Sequence, residues 1–211
     1  MMIRPLVTGV LLSALSACSP AFSATIPDAA WQYQRDLTRA AQYSYGINAP
    51  MATLAGLIHQ ESRWRANARS PVGARGIAQF MPRTADWMPE IYPVLGEAAP
   101  HDPRWSIRAA VLYTEWLHVR IQAADPCESW AMVLSAYNGG LTWVTRDKRL
   151  ASDSGSDPLA WFDSVERYNA GRSAANFAEN RHYPQIILTR WTPMYHRAGW
   201  GAGACRSRWQ L

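Results

Sequence analysis

The chain reads as a mainly α, single-domain fold, and three observations carry that reading. Apolar residues recur at helical spacing in two long stretches, Met51, Leu54, Ala55, Ile58 and Ile107, Ala110, Val111, Thr114, Leu117, Ile121. Prolines stand where helices begin, and glycines stand where they stop. No segment alternates apolar and polar residues as a half-buried strand would. The 211 residues are enough for one good core, and neither an internal repeat nor a hinge-like linker divides them.

Taken in order, the chain opens with a single Arg4 before an apolar run too short to span a bilayer, which reads as a signal peptide over residues 1–24. Leu15-Ser16-Ala17-Cys18 resembles the lipobox of bacterial lipoproteins, which would make Cys18 the lipidated first residue. Ordinary cleavage near residues 23–24 is the other possibility. Either route exports the protein to the periplasm, with outer-membrane attachment in the lipidated case. Residues 25–211 then form the folded domain.

Residues 25–45 read as a leader or a first helix, with Asp28 as a possible cap and Gly46 as its end. The stretch from Met51 predicts a helix with one buried stripe, and Glu61 lies three residues beyond Ile58 at the end of it. From Ser70 to Met81 two glycines predict a compact loop, and Pro82 and Thr84 open a further helical turn. Asp102-Pro103 starts a helix expected to be central to the core. Another helix follows Pro126 and is stopped by Gly139-Gly140, so that Tyr137 and Asn138 sit at its end. Residues 151–158 read as a polar loop and 183–191 as a last helix.

Composition limits the function more than it assigns one. The formal charge of +5 favours anionic partners. The arginines are scattered, and no zinc-finger or RNA-recognition pattern occurs, which argues against nucleic acid. Eleven tryptophans and nine tyrosines supply flat faces that pack cores and also stack on sugars. His59, His101, His118, His182 and His196 show no metal-ligand spacing. With Cys18 processed, Cys127 and Cys205 are an even pair in an oxidising compartment and are expected to be bridged, closing a loop worth about 4 to 5 kcal/mol in chain entropy.

Glu61 beside Trp64, at the edge of an apolar helix face, is a candidate acid, because partial burial raises a carboxyl pKa. Arg63, Arg65 and Arg69 would lower it if they faced it, and a surface Glu61 paired with Arg65 is the plainer alternative. A longer pattern decides between them. Glu61-Ser62-Arg63-Trp64 is followed by Ser70, Gly73-Ala74, Gly76, Gln79, Met81-Pro82 and Thr84-Ala85, then by Ala136-Tyr137-Asn138-Gly139-Gly140. This resembles the soluble lytic transglycosylase family, whose pattern runs E-S, an aromatic, S-x-x-G-A-x-G-x-x-Q-x-M-P-x-T-A and later A-Y-N-A-G.

The resemblance implies a lysozyme-like α domain with a glycan-binding groove and one catalytic carboxylate, Glu61. It also implies cleavage of the bond between N-acetylmuramic acid and N-acetylglucosamine without water, leaving a 1,6-anhydro sugar. Position by position, Ser70, Gln79, Met81 and Thr84 match groove-lining residues, and Tyr137 and Asn138 match the pair that orients the glutamate and touches sugar. Each has a plainer reading: a turn or cap for Ser70 and Thr84, core for Gln79 and Met81.

Glu179-Asn180-Arg181-His182-Tyr183 resembles the family's E-T-x-x-Y segment, making Glu179 a candidate substrate-binding carboxylate and Tyr183 a groove wall; Asn180 replaces the threonine. Arg65-Ala66 replaces the family's Asn-Pro, and Tyr168-Asn169-Ala170-Gly171 competes with Tyr137 for the A-Y-N-A-G role. A hydrolytic muramidase of the same fold, with Asp86 or Glu97 as base, and a non-catalytic wall-binding protein are the rival readings. The protein is expected to act on peptidoglycan as a monomer without metal or cofactor.

Overall fold

The computed structural model describes residues 25–205, so the signal segment and Cys18 lie outside the described residues. Among those described, the regular structure is helical, with only isolated bridges Arg69 to Arg75 and Arg75 to Phe80 in the loop after Glu61. The helices are α1 (Asp28–Tyr45), α2 (Met51–Ser62), α3 (Pro82–Ile91), α4 (Pro103–His118), α5 (Pro126–Gly139), α6 (Leu141–Asp153), α7 (Ala174–Ile186) and α8 (Thr192–Arg197). A π-helical turn, Ile187–Trp191, joins the last two. No described helix is long and apolar enough to cross a membrane.

Helix starts follow local chemistry. Asp102 accepts from the amides of Arg104 and Trp105, and Asp125 accepts from those of Cys127 and Glu128, each with proline next in the chain. Asp28 falls in the first turn of α1 and caps nothing; Pro27 holds the N-cap position.

The central helix is α5 rather than α4. Residues 127–136 are buried without a break, and α5 packs on α4, α6 and α7. The run is apolar apart from Glu128, Ser129 and Ser135, and a helix with apolar residues on every side is stable only when enclosed. Helix α4 keeps a partly exposed side and pairs with α1. Helix α2 is also buried on more than one stripe, because Gly56 lets the backbone of the C-terminal segment approach: a Cβ there would stand 3.0 Å from Trp191 Cβ.

Two segments depart from the sequence reading. Helix α6 follows Gly140 at once, since φ +96° at that glycine turns the chain without ending helical structure. Residues 151–153 are its last turn, not loop. Helix α7 begins at Ala174, nine residues before Tyr183, with Ser173 capping the amide of Asn176.

Much of the aromatic surplus is core: Trp64, Trp105, Trp130, Trp161, Trp191 and Trp200 are all buried. Cys127 and Cys205 form a disulfide that ties the end of the described chain to the start of α5.

Candidate active site

Glu61 stands in the last turn of α2, where the backbone reverses sharply. Arg63 and Trp64 both have positive φ, 51° and 65°, an uncommon conformation for residues with side chains. The reversal drives Trp64 into the core, where its indole donates to Tyr195 Oη, and leaves Arg63, Arg65 and Arg69 exposed. Ser62 Oγ donates to the Ile77 carbonyl at 2.6 Å, which fastens the following loop to the end of α2.

That loop shapes one wall. The Ser70 amide donates to the Ala74 carbonyl, and the Ser70 hydroxyl accepts from the Ala74 amide at 2.9 Å. Gly76 has φ +76°, and a Cβ on it would lie 1.6 Å from the Pro100 carbonyl oxygen, so only glycine fits. Gln79 also has positive φ, 52°, with its side-chain amide donating to Gly76 O. Strain of this kind costs of order 1 to 3 kcal/mol and persists where surrounding structure enforces it.

A cavity of about 270 Å³ opens between this loop, the C-terminal end of α5 and the middle of α7. Its lining brings together Glu61, Ser70, Gln79, Met81, Thr84, Tyr137, Asn138 and Glu179, residues spread over more than a hundred positions of chain. Phe80 and Tyr113 complete it as aromatic walls that the sequence pattern did not single out. Tyr113 is partly buried in the period of α4, so on sequence it looks like any core-facing aromatic. Met81 is 43% exposed despite being apolar, and it holds the N-cap position of α3. Asp86 and Glu97 lie outside this lining.

The tyrosines divide the work differently from the family-based expectation. Tyr183, from α7, donates its hydroxyl to Glu61 Oε1 from a buried position behind the carboxyl, and it does not line the cavity. Tyr137 donates instead to the Ala78 carbonyl at 2.9 Å, bracing the loop over the cleft. Asn138 bridges Glu179 and Asn180. The competing Tyr168-Asn169 motif is a turn: Asn169 Oδ1 accepts from the amides of Gly171 and Arg172, and Tyr168 Oη pairs with Ser156.

Burial raises the Glu61 pKa to about 8; the Tyr183 hydrogen bond lowers it, and the nearby Glu179 charge raises it further. No arginine contributes. Glu61 is therefore mostly protonated at neutral pH, and with Tyr183 donating to Oε1 the acid proton is left to the other oxygen. Such a carboxyl can deliver a proton to a bound oxygen and, once ionised in apolar surroundings, take one back. Among the described residues no group of three or more His, Cys, Asp or Glu side chains is arranged to hold a metal.

An all-helical scaffold of this kind is the lysozyme-like fold of the lytic transglycosylases. The structure resembles the lytic transglycosylase Slt of Pseudomonas aeruginosa, with TM-score 0.61 and 23% identity over 82% of this chain and 25% of that one. It also resembles the 70 kDa soluble lytic transglycosylase of Escherichia coli, with TM-score 0.55, 24% identity and the same coverage. Residues 36–160 match the Transglycosylase SLT domain, and the chain belongs to that family.

A relative described as membrane-bound lytic murein transglycosylase F, from Thiobacillus denitrificans, is 33% identical over 180 residues, covering 76% of this chain and 36% of its own. The namesake from Mannheimia succiniciproducens is 33% identical over 135 residues, 63% of this chain and 25% of its own. The chain thus spans about a quarter to a third of the length of these curated relatives. Glu179 and Tyr183 fall beyond the family match.

Proposed function

We propose that residues 25–211 form one catalytic domain that cleaves the N-acetylmuramic acid to N-acetylglucosamine bond of peptidoglycan without water, with Glu61 as the acid and then the base. The observation that carries this reading is the Glu61 carboxyl, held from behind by Tyr183 and facing a cleft whose other polar lining is largely neutral hydrogen-bonding groups, in which burial raises its pKa. Glu61 protonates the glycosidic oxygen as the bond to the anomeric carbon breaks. The resulting carboxylate removes the proton of the muramic 6-hydroxyl, whose oxygen bonds to that carbon. Glu61 ends reprotonated, and the product carries a 1,6-anhydro ring.

Ser70, Gln79 and Asn138 supply neutral hydrogen bonds to sugar groups, and Met81 and Thr84 contact the strand along the groove. Tyr183 holds the carboxyl, and Tyr137 holds the loop. The hydrolytic alternative needs a second carboxylate as base, and Glu179 is the cleft residue that could serve. We assign Glu179 to substrate binding, because no second base is needed when Glu61, ionised after protonating the leaving oxygen, deprotonates the 6-hydroxyl.

Mass spectrometry of fragments released from purified peptidoglycan tests this directly. Anhydro ends from the wild type and no release by Glu61→Gln are expected; reducing ends would identify a hydrolase. Export and a lipid on Cys18 remain part of the proposal, and the mass of the mature N-terminal peptide checks them.

A further inference from the structure

The end of α2 is held residue by residue. His59 Nδ1 lies 2.9 Å from Tyr195 Oη, and the Trp64 indole donates to the same oxygen at 2.5 Å. Between these two, the Trp191 indole donates to Gln60 Oε1, Tyr183 donates to Glu61, and Ser62 donates to the Ile77 carbonyl. His59, Trp64 and Tyr195 are all buried, and the His59 ring packs on Trp191 with centroids 4.2 Å apart. One phenol oxygen thus grips the chain on both sides of Glu61, at His59 before it and at Trp64 after it.

Tyr183 and Tyr195 reach α2 from one run of helix. In an unbroken α-helix their spacing would set them about 120° apart around the axis. The π-helical turn Ile187–Trp191 takes in an extra residue, which brings them to within about 20° of one another. Both hydroxyls therefore face the end of α2, one at the carboxyl and the other at the turn that follows it. That turn has positive φ at Arg63 and at Trp64, a conformation that persists only where the surroundings enforce it. Packing of Trp64 on Tyr195 and Trp200, with the bond to Tyr195 Oη, enforces it here.

We propose that Tyr195 is a positioning residue for Glu61: its hydroxyl clasps the turn after α2 and so keeps the carboxyl in its buried place beside the cleft. The inference rests on the reading of Glu61 as the acid. His59, faced by Arg63 of the turn and Arg190 of the π-helical segment, is kept neutral at pH 7 chiefly by burial, so its Nδ1 can accept the Tyr195 proton. The groups that face Glu61 itself are Tyr137 of α5 and Tyr183 and Glu179 of α7, and none of them is touched when the Tyr195 hydroxyl is removed. With the clasp open the turn relaxes and the carboxyl gains water. Burial is the largest cause of its raised pKa, so it then holds its proton less tightly.

The test is a carbon NMR titration of the full chain labelled at its glutamate carboxyls, with the Glu61 signal identified by its loss in Glu61→Gln. The wild-type midpoint is expected at about 8. Tyr195→Phe should lower it to about 7 or below, a loss of proton affinity of at least about tenfold, and should lower kcat on soluble glycan strands about tenfold with KM unmoved. Trp64→Phe keeps an aromatic ring and removes the indole donor, so it should move the midpoint the same way by less, and it carries the test if Tyr195→Phe does not fold. Leu37→Ala empties a buried site in α1, which contributes nothing to the cleft lining, and is expected to lower the melting temperature while leaving midpoint and kcat in place. An unmoved midpoint in a folded Tyr195→Phe, or an equal displacement in Leu37→Ala, overturns the positioning role. Failure of both the Tyr195 and Trp64 variants to fold overturns it too, because the clasp is then part of the core alone. Full activity of Glu61→Gln would overturn the reading of Glu61 as the acid, while a displaced midpoint in Tyr195→Phe would still support the clasp on its carboxyl.

Discussion

At the scale of single residues, Glu61 and His59 dominate the pH response because each is moved far from its ordinary value, and in opposite directions. Glu61 titrates near 4.5 in an unfolded chain and about 8 in the fold, so between those values the folded protein holds a proton that the unfolded chain has released. Stability contributed by this group falls as pH rises through that window. His59, buried against Tyr195, is lowered from 6.5 to about 4, chiefly by burial and then by Arg63 and Arg190. There the unfolded chain holds the extra proton, and stability falls as pH drops. Below about 6.5 the two slopes oppose each other; above it only Glu61 acts. Glu61→Gln should therefore raise the melting temperature more at about pH 8 than at about pH 5, by a difference worth more than about 1 kcal/mol. Calorimetry at the two pH values checks this, and an equal shift would show that the carboxyl is not held protonated. Activity should decline above about pH 8 as the acid form is lost. Tyr183→Phe removes the bond that favours the ionised form, so the decline should move to higher pH while kcat falls by about tenfold. A loss of kcat with an unmoved profile would reduce Tyr183 to a packing role.

At the scale of elements, the contact between α5 and α7 explains two departures from the family pattern as one. Asn180 is buried between the helices; it donates to the Ser135 carbonyl and to Asn138 Oδ1, and it accepts from Ser135 Oγ. A Cβ on residue 139 would stand 2.7 Å from Asn180 Nδ2, so glycine at 139, where the family has alanine, goes with asparagine at 180, where it has threonine. Gly139→Ala is expected to cost about 2 kcal/mol in the presence of Asn180. In the double variant Gly139→Ala with Asn180→Thr the cost should be smaller than the sum by about 1 kcal/mol or more. Denaturant melts of the four proteins measure that coupling, and strict additivity would separate the two positions. Sequence patterning recovered α2, α4 and α5 because their buried faces are apolar and their starts carry proline. It missed α6, whose buried residues are Val144, Asp147 and Ala151, a stripe with a charge in the middle. It placed the last helix too late because α7 buries Asn180, Tyr183 and Pro184, and no apolar period precedes them.

At the scale of the whole molecule, the disulfide joins α5, which underlies the cleft, to the C-terminal segment that packs over α2. The Ala204 amide donates to Thr53 Oγ1, and the Ala52 amide donates to the Ala202 carbonyl, so the bridged segment also borders the helix that carries Glu61. Replacing Cys127 and Cys205 by serine should lower stability by about 2 to 5 kcal/mol, read as a fall in melting temperature and matched by reduction of the wild type. Retained stability in both cases would mean that the helical core holds the segment without the bridge.

The sequence by itself determined the helical class, the proline-led starts of α3, α4 and α5 and eight of the residues that line the cleft, since Glu61, Ser70, Gln79, Met81, Thr84, Tyr137, Asn138 and Glu179 sit at spaced positions of one ordered pattern. Only the tertiary structure decided which tyrosine meets the carboxyl, that the neighbouring arginines face away, and that one tyrosine hydroxyl joins His59 to Trp64. Those outcomes depend on which side chains meet across elements far apart in the chain. Helical period and local caps report the direction in which a residue faces, whereas a pKa or a shared hydrogen bond is set by the groups and solvent that meet it there.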